Sequence, residues 1–453
     1  WWRWRTRRPA AAAQRALIER FASAVDRSQA RPTILAVNAP LLLVRPLSAP
    51  TETLAEYCAR GGYRGLQRAL AENAPAALLD QIEQSQLRGR GGASFPTARK
   101  WRLAAQQSSP EKFVVGNGGE HEPGSEKDRH LVANYPHSVL EGLMLAGFAT
   151  GADKGYVYLI EDMHAQLASI EHAIGELRAS HLLDDTAFGR AFSIEVHRAP
   201  TTYVAGEETA ALNSIEGKPA KPRKKPPFPG EQGLFGKPTT INNVETLAHV
   251  AWIARNGAAA FAAIGTAESK GTLLFTLPSD VKRPGVYELP FGSTYRQLID
   301  ECGGGTKNGS RVRAVLPALS CGFLLEEHLD VPIAYETLRP LGTSPGCGGV
   351  RLVLPSTDVV ALALEIATFF MSEQCGQCPA CRMETNQFVH ILKGVQQGGG
   401  PGYREKLQKL ADFNRKKGFC SLIEMAAAPV LSAVHVFAND FAASAGPVRE
   451  GTS

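Results

Sequence analysis

Three cysteines fall within one short stretch, Cys375-Gly-Gln-Cys378-Pro-Ala-Cys381, and Cys420 is the only cysteine that follows them. Thiolates at successive two-residue gaps can wrap a cuboidal iron–sulfur cluster, because a tight loop turns consecutive sulfurs to one side. The set reads as a [4Fe–4S] site with Cys375, Cys378, Cys381 and Cys420 as ligands. Structural zinc held by four thiolates is the competing reading. Zinc sites usually pair their cysteines two by two, and here the second pair is missing. Cys58, Cys302, Cys321 and Cys347 have no such spacing, and their default is structural burial.

A second chemistry is written in glycines. Gly89-Arg-Gly-Gly-Ala-Ser-Phe-Pro96 leads into helix-like residues, a pattern in which backbone N–H groups approach a phosphate and a helix N-terminus favours its charge. Arg90 and Lys100 offer cations to a phosphate or a flavin carbonyl. The loop is not the G-x-G-x-x-G fingerprint, so an ordinary Rossmann site is disfavoured; taken alone it is as readily a plain turn. Residues 117–122, with Glu120 among them, follow a short apolar strand, where α/β proteins place ligand contacts. Tyr203-Val-Ala-Gly206-Glu207-Glu208 sets a close-approach glycine before two carboxylates at a helix start, though such a pair is also an ordinary helix-start preference. Asn242, Asn243 and Thr246 carry amides and a hydroxyl suited to a flavin's polyol or phosphate. Each segment alone is ambiguous. Their joint presence points to a flavin.

These groups need a frame. Residues 10–30 read as a short helix, and residues 51–86 are helical in pattern, broken at Gly61 and Gly62. Strands at 113–115, 155–160 and 192–197 alternate with helices at 138–149 and 164–180, which predicts an α/β core with parallel strands. The Lys-, Pro- and Gly-rich stretch 218–238 is an extended loop. Residues 271–353 form a smaller β-rich unit, with strands at 272–277, 285–289 and 312–316 around a helix at 294–301. A helix at 359–372 delivers the chain to the cysteines, and the rest to about residue 441 looks helical, joined by a turn at 398–402.

Composition sets the outer bounds. With 453 residues the chain has room for two to four folding units, and 44% hydrophobic with 21% charged residues is ordinary for a soluble protein. A net charge of +5 is mild, and no helix-turn-helix, zinc-finger or aromatic RNA-reading motif is present, so nucleic acid is not an expected partner. No apolar run reaches the roughly 18 residues a membrane span needs. The opening WWRWRTRR is read as a fragment or a misplaced start and is given no function. Lack of a signal segment and the cysteine usage suggest a reducing compartment. That means the cytoplasm, free or on the cytoplasmic face of a membrane complex, with an organelle matrix left open by the Arg-rich start.

Together these segments resemble the NADH-binding flavoprotein subunit of respiratory complex I, a family that includes the diaphorase subunits of NAD-linked hydrogenases and formate dehydrogenases. GRGGASFP, EPGSEKDR, GEETAALNSIEGK, KPPFP, PTTINNVET and the cysteine set occur in the family's order, with EYCARGGYRGLQRAL before them. The resemblance implies an N-terminal extension (1–50) and an FMN-binding α/β domain with leading helices (51–265). A small β-grasp domain of the soluble-ligand-binding type (266–355) and a helical [4Fe–4S] domain (356–445) follow. By position, Gly89, Arg90, Gly91, Gly92, Lys100, Asn117, Glu120, Tyr203, Gly206, Glu207, Asn242, Asn243 and Thr246 line the FMN. Phe95 and Phe228 stand where rings stack on the adenine of NAD(H), and Glu208 and Glu122 where carboxylates contact NADH. Where the family loop reads N-A-D-E-G-E-P-G-T-F-K-D-R, this chain has NGGEHEPGSEKDR; Ser94 replaces a glycine, and Leu103 an aromatic.

The implied activity is that of an NADH dehydrogenase (diaphorase-type) flavoprotein subunit. It passes a hydride from NADH to FMN and single electrons to the cluster. The implied partners are a small [2Fe–2S] subunit and a larger iron–sulfur or catalytic subunit. Two rivals share the motifs: the altered loop takes NADPH or a protein electron carrier, or the chain is an assembly subunit without nucleotide turnover.

Overall fold

The structure, a computed structural model, describes residues 40–45, 49–152, 154–183, 192–399 and 402–444. The helix expected over residues 10–30 lies outside the described residues. Three helices lead: α1 (Leu54–Ala59), α2 (Arg64–Glu72) and α3 (Pro75–Gln84). The first is closed by a capping box in which Thr53 and Glu56 satisfy each other's backbone N–H. After α4 (Thr97–Ala105) come β1 (Phe113–Asn117), α5 (Lys127–Asn134), α6 (Pro136–Thr150), β2 (Lys154–Ile160), α7 (His164–Ala179) and β3 (Ser193–Ala199). Then follow α8 (Glu208–Ile215), β4 (Thr239–Asn243) and α9 (Val244–Asn256).

The four strands form one parallel sheet in the order β3-β2-β1-β4. Strand order reverses between β1 and β4. In open α/β sheets a crevice opens at that place, beyond the carboxyl ends of the strands, and receives ligands. The register sets Asn117 opposite Asn243 and Gly116 opposite Asn242, so both loops leave the sheet side by side. Helix α6 is buried along its whole length, and a Cβ on its Gly142 would lie 2.0 Å from the Leu247 carbonyl oxygen of α9. Glycine at that position allows the two helices to touch. Strand β4 is an element the sequence does not announce, since Asn242, Asn243 and Thr246 read as polar contact residues. Three β-branched residues, Thr239, Thr240 and Ile241, carry the strand, and the asparagines end it.

The second unit holds β5 (Thr272–Leu277) paired antiparallel with β6 (Gly285–Pro290), and the ladder β8-β7-β9 of Leu324–Leu325, Ala314–Leu316 and Arg351–Val353. A single parallel bridge between Thr276 and Gly349 links them, over a core of Leu273, Phe275, Tyr295, Leu298, Val315 and Leu352. The helix expected at 294–301 is a short turn, Tyr295–Gln297, running into a π-type turn, Leu298–Cys302. The third unit is helical: α10 (Val359–Glu373), α11 (Pro379–Gln396), α12 (Tyr403–Asn414), α13 (Leu422–Val436) and α14 (Ala438–Ser444). Among the described residues no single helix is long and apolar enough to cross a membrane. The pair α13–α14 meets that test only together, bent by 85°.

Candidate flavin and cluster sites

The loops named from sequence meet at the switch point. Backbone N–H of Arg90 donates to Thr246 Oγ1 at 2.9 Å, and a Cβ on Gly91 would stand 3.3 Å from Asn243 Cβ, so the Gly89–Gly92 loop lies against the end of β4. Among the described residues no hydrogen bond uses the backbone N–H of Gly91 or Gly92, and a Cβ on Gly92 (φ +103°) would come no nearer to a neighbour than 3.9 Å, from the Cys347 backbone nitrogen. Such donors form an anion-binding cradle. Asn242 spends its Oδ1 on the Trp101 indole N–H (2.8 Å), which leaves its amide N–H groups for a ligand. This donor set fits a flavin with a phosphate tail.

Several expected side chains are engaged elsewhere. The Arg90 guanidinium, 1% exposed, does not reach this cradle. It donates to the carbonyls of Thr272 (2.9 Å), Arg88 (2.9 Å) and Lys270 (2.6 Å), and lies over the Phe291 ring. Its expected pairing with phosphate is therefore corrected to a joint between the first and second units. Glu120 turns inward and accepts from Ser125 Oγ and from the N–H groups of Asp128 and Arg129 at the start of α5; burial and the nearby Asp128 push its carboxyl up to about 7. Glu207 caps α8 through the N–H groups of Thr209 and Ala210. Asn243 caps α9 through Glu245 N–H and donates to Asp128 Oδ2 at 2.6 Å. Buried Lys127 bridges Asp128 (2.7 Å) and Glu245 (2.9 Å) beneath it.

Glu122 also departs from the expected nucleotide contact. Its carboxylate accepts from the Tyr203 hydroxyl (2.9 Å) and from Leu319 N–H, and burial raises its carboxyl above the usual range. Glu208 faces Lys100 (2.9 Å) and Lys225 (3.0 Å). Burial alone would raise its carboxyl, but the two ammoniums prevail and hold it at about 2. Lys225 reaches Glu207 as well (2.9 Å), a contact the sequence reading did not find. Phe95 and Phe228 are exposed, at 45% and 49%, and so are available for stacking. His121 fills the space between the two glycine-bearing loops: a Cβ on Gly119 would stand 3.2 Å from its Nε2, and one on Gly206 3.0 Å from its Cδ2. The carboxylate missing at 119 would meet this ring.

At the other site Cys375, Cys378, Cys381 and Cys420 line one small cavity with Val204, Phe419 and Ile423. Pro379 opens α11 directly after Cys378, and Cys381 lies in its first turn. Cys420 comes from the segment before α13. Among the described residues no three His, Cys, Asp or Glu side chains converge on a single metal ion. Burial, with repulsion from neighbouring thiolates, pushes Cys381 up to about 12; burial likewise takes Cys420 to about 11. Four thiolates there require a cationic centre, as an iron–sulfur cluster supplies. Phe419 N–H and the Gln377 amide already point at Cys378 and Cys375 sulfurs.

Comparison with known proteins agrees with this geometry. Residues 82–252 match the family model of the Nuo51 FMN-binding domain, and residues 361–444 that of the NADH-ubiquinone oxidoreductase-F iron–sulfur binding region. Residues 280–319 match the SLBB domain. The chain is 39% identical to the NADH-quinone oxidoreductase F subunit numbered 2 in Rhizobium meliloti, over 89% of this chain and 97% of that protein. It is 37% identical to the NADH-quinone oxidoreductase F subunit of Escherichia coli, over 86% of this chain and 89% of that protein. The same identity holds to the HndC component of the NADP-reducing hydrogenase of Solidesulfovibrio fructosivorans, over 86% and 80%. Among solved structures, an NAD+-reducing [NiFe]-hydrogenase in the H2-reduced state superposes with a TM-score of 0.78 at 32% identity, covering 97% of this chain and 73% of that one.

Proposed function

This chain belongs to the family of the NADH-quinone oxidoreductase F subunits, and on that premise we propose how its residues divide the work of an NADH-oxidising flavoprotein that feeds a [4Fe–4S] cluster. The observation that carries the reading is the convergence of four thiols, from two separate segments of the chain, on one cavity. FMN, when bound, supplies hydride chemistry with NADH and releases electrons singly. The protein needs no acid or base for that step. Gly91 and Gly92 N–H groups hold the phosphate, and the Asn242 amide orients the ring system. Phe95 and Phe228 take the adenine, and the Lys100–Glu208–Lys225 triad positions the ribose end of the dinucleotide. Cys375, Cys378, Cys381 and Cys420 hold the cluster.

The three units follow the divisions 51–265, 266–355 and 356–445. The protein works within a multi-subunit complex, with a small [2Fe–2S] protein and a larger iron–sulfur or catalytic subunit, and resides in the cytoplasm. Lys225 is already shared between two carboxylates, which leaves it poorly placed to recruit a 2′-phosphate and favours NADH over NADPH. Anaerobic titration of the native complex tests the reading by following flavin absorbance and the cluster's electron paramagnetic signal together. NADH is expected to bleach the flavin and then raise the cluster signal. Reduction of both centres by dithionite but by neither nucleotide would overturn the dinucleotide assignment, and flavin absent from a cofactor-replete complex would favour an assembly role.

A further inference from the structure

One short turn makes contacts toward both sites. Tyr203–Gly206 forms a 3-10 turn, and each of its residues is tied to one side or the other. Gly206 carbonyl accepts from Asn117 Nδ2 at 3.0 Å, at the end of β1. Ala205 carbonyl accepts from the Tyr158 hydroxyl at 3.0 Å, within the sheet. Val204 lines the thiol cavity. Tyr203 binds in three directions. Its backbone N–H donates to Glu373 Oε2 at 2.8 Å, at the last residue of α10 and just ahead of Cys375. Its hydroxyl donates to half-buried Glu122, and its ring packs edge-on against Phe369 (5.1 Å) and Phe370 (5.8 Å). Val204 and Ala205 are buried, so this wall is dry. Two peptide units therefore join the flavin-side carbonyl of Gly206 to the side chain that faces the thiols.

We propose that the Tyr203–Gly206 turn is the path by which electrons cross from flavin to cluster, and that Glu373 is a positioning residue that fixes its length by holding Tyr203 N–H. The proposal rests on the cofactor reading above. Each crossing oxidises the reduced flavin by one electron and reduces the cluster by one, and no proton needs to travel through the turn. Glu373 acts here as an acceptor. A glutamine retains an acceptor oxygen at this position, and an alanine does not.

The test uses the native complex carrying Glu373→Ala, Glu373→Gln or Val204→Gly, pulsed with NADH and freeze-quenched. Flavin bleaching is read optically and cluster reduction by electron paramagnetic resonance, and the cluster potential is titrated separately with mediators. Because electron transfer slows as the gap between two centres widens, Glu373→Ala and Val204→Gly are expected to slow cluster reduction severalfold. Flavin bleaching should stay at its unaltered value in both, the cluster potential should stay unaltered in Glu373→Ala, and Glu373→Gln should restore the rate. Unchanged cluster reduction in both Glu373→Ala and Val204→Gly overturns the proposal, as does a shifted potential that accounts for the slower rate. Should Glu373→Ala lose the cluster through its nearness to Cys375, Val204→Gly alone decides. If the unaltered complex shows neither flavin bleaching nor a cluster signal, the cofactor reading falls, which is a different result from a turn that fails to matter.

Discussion

At the flavin site most charged and amide side chains are already bonded to the protein, whereas the four thiols of the cluster site share a cavity that needs an occupant. Glu120, Glu207 and Asn243 cap helices, Glu122 and Arg90 tie units together, and the ligand is left mainly backbone N–H groups and one amide. The cluster site offers its side chains outright. A site of the first kind shares its residues with the fold, so damage to it spreads into stability. One of the second kind can lose its occupant while the helices around it stand.

The largest expected effect follows from the cluster side. Cys381→Ser should abolish the cluster's paramagnetic signal and its visible absorbance while leaving FMN stoichiometry intact; joint loss of FMN would break the contrast. Next comes Arg90→Leu, which strands three carbonyls, that of Thr272 buried and those of Arg88 and Lys270 half-buried. At about 1 kcal/mol or more for each lost partner, the variant should be destabilised by about 3 kcal/mol, with flavin loss and unfolding moving together in a thermal melt. A fall in FMN affinity at unchanged melting temperature would instead return Arg90 to the phosphate.

The Glu208 carboxyl is depressed in the folded chain to about 2 from an ordinary 4.5. Its contribution is therefore fully present above pH 4.5 and lost as pH falls from there towards about 2. Glu208→Gln should flatten that part of the acid-denaturation profile by about 2 kcal/mol, after discounting for partial exposure, and should raise KM for NADH more than it lowers kcat. The smallest effect is a gain. Ser94 sits at φ +51°, a region costly for a residue with a Cβ, so Ser94→Gly should stabilise by about 1 kcal/mol in urea without altering FMN content.

The same contrast governs what could be read in advance. Thiol ligands are side chains, so their spacing announced the cluster, and the alternation of strands and helices announced the parallel sheet. The flavin loops were located, but the direction of their side chains was not, since Arg90, Glu120 and Glu122 carry motif identities whose partners lie elsewhere in the chain. Strand β4 was hidden because its two polar threonines and two asparagines look like a loop; it forms by pairing with β1. Glu373 and Val204 left no sequence signal at all. Their significance depends on contacts across about 170 residues, as in the Tyr203–Glu373 bond.

Arg90 has a further consequence. Its backbone belongs to the cradle and its guanidinium is plugged into the carbonyls of the second unit. A ligand that orders the cradle thereby also holds the joint, by an amount that grows as the logarithm of one plus the ratio of free ligand to Kd. Flavin loading and the seating of the second unit are then one thermodynamic quantity seen from two ends. A chain that has not yet received its flavin should present a looser hinge to any protein assembling onto it, and cofactor insertion becomes a natural checkpoint before assembly.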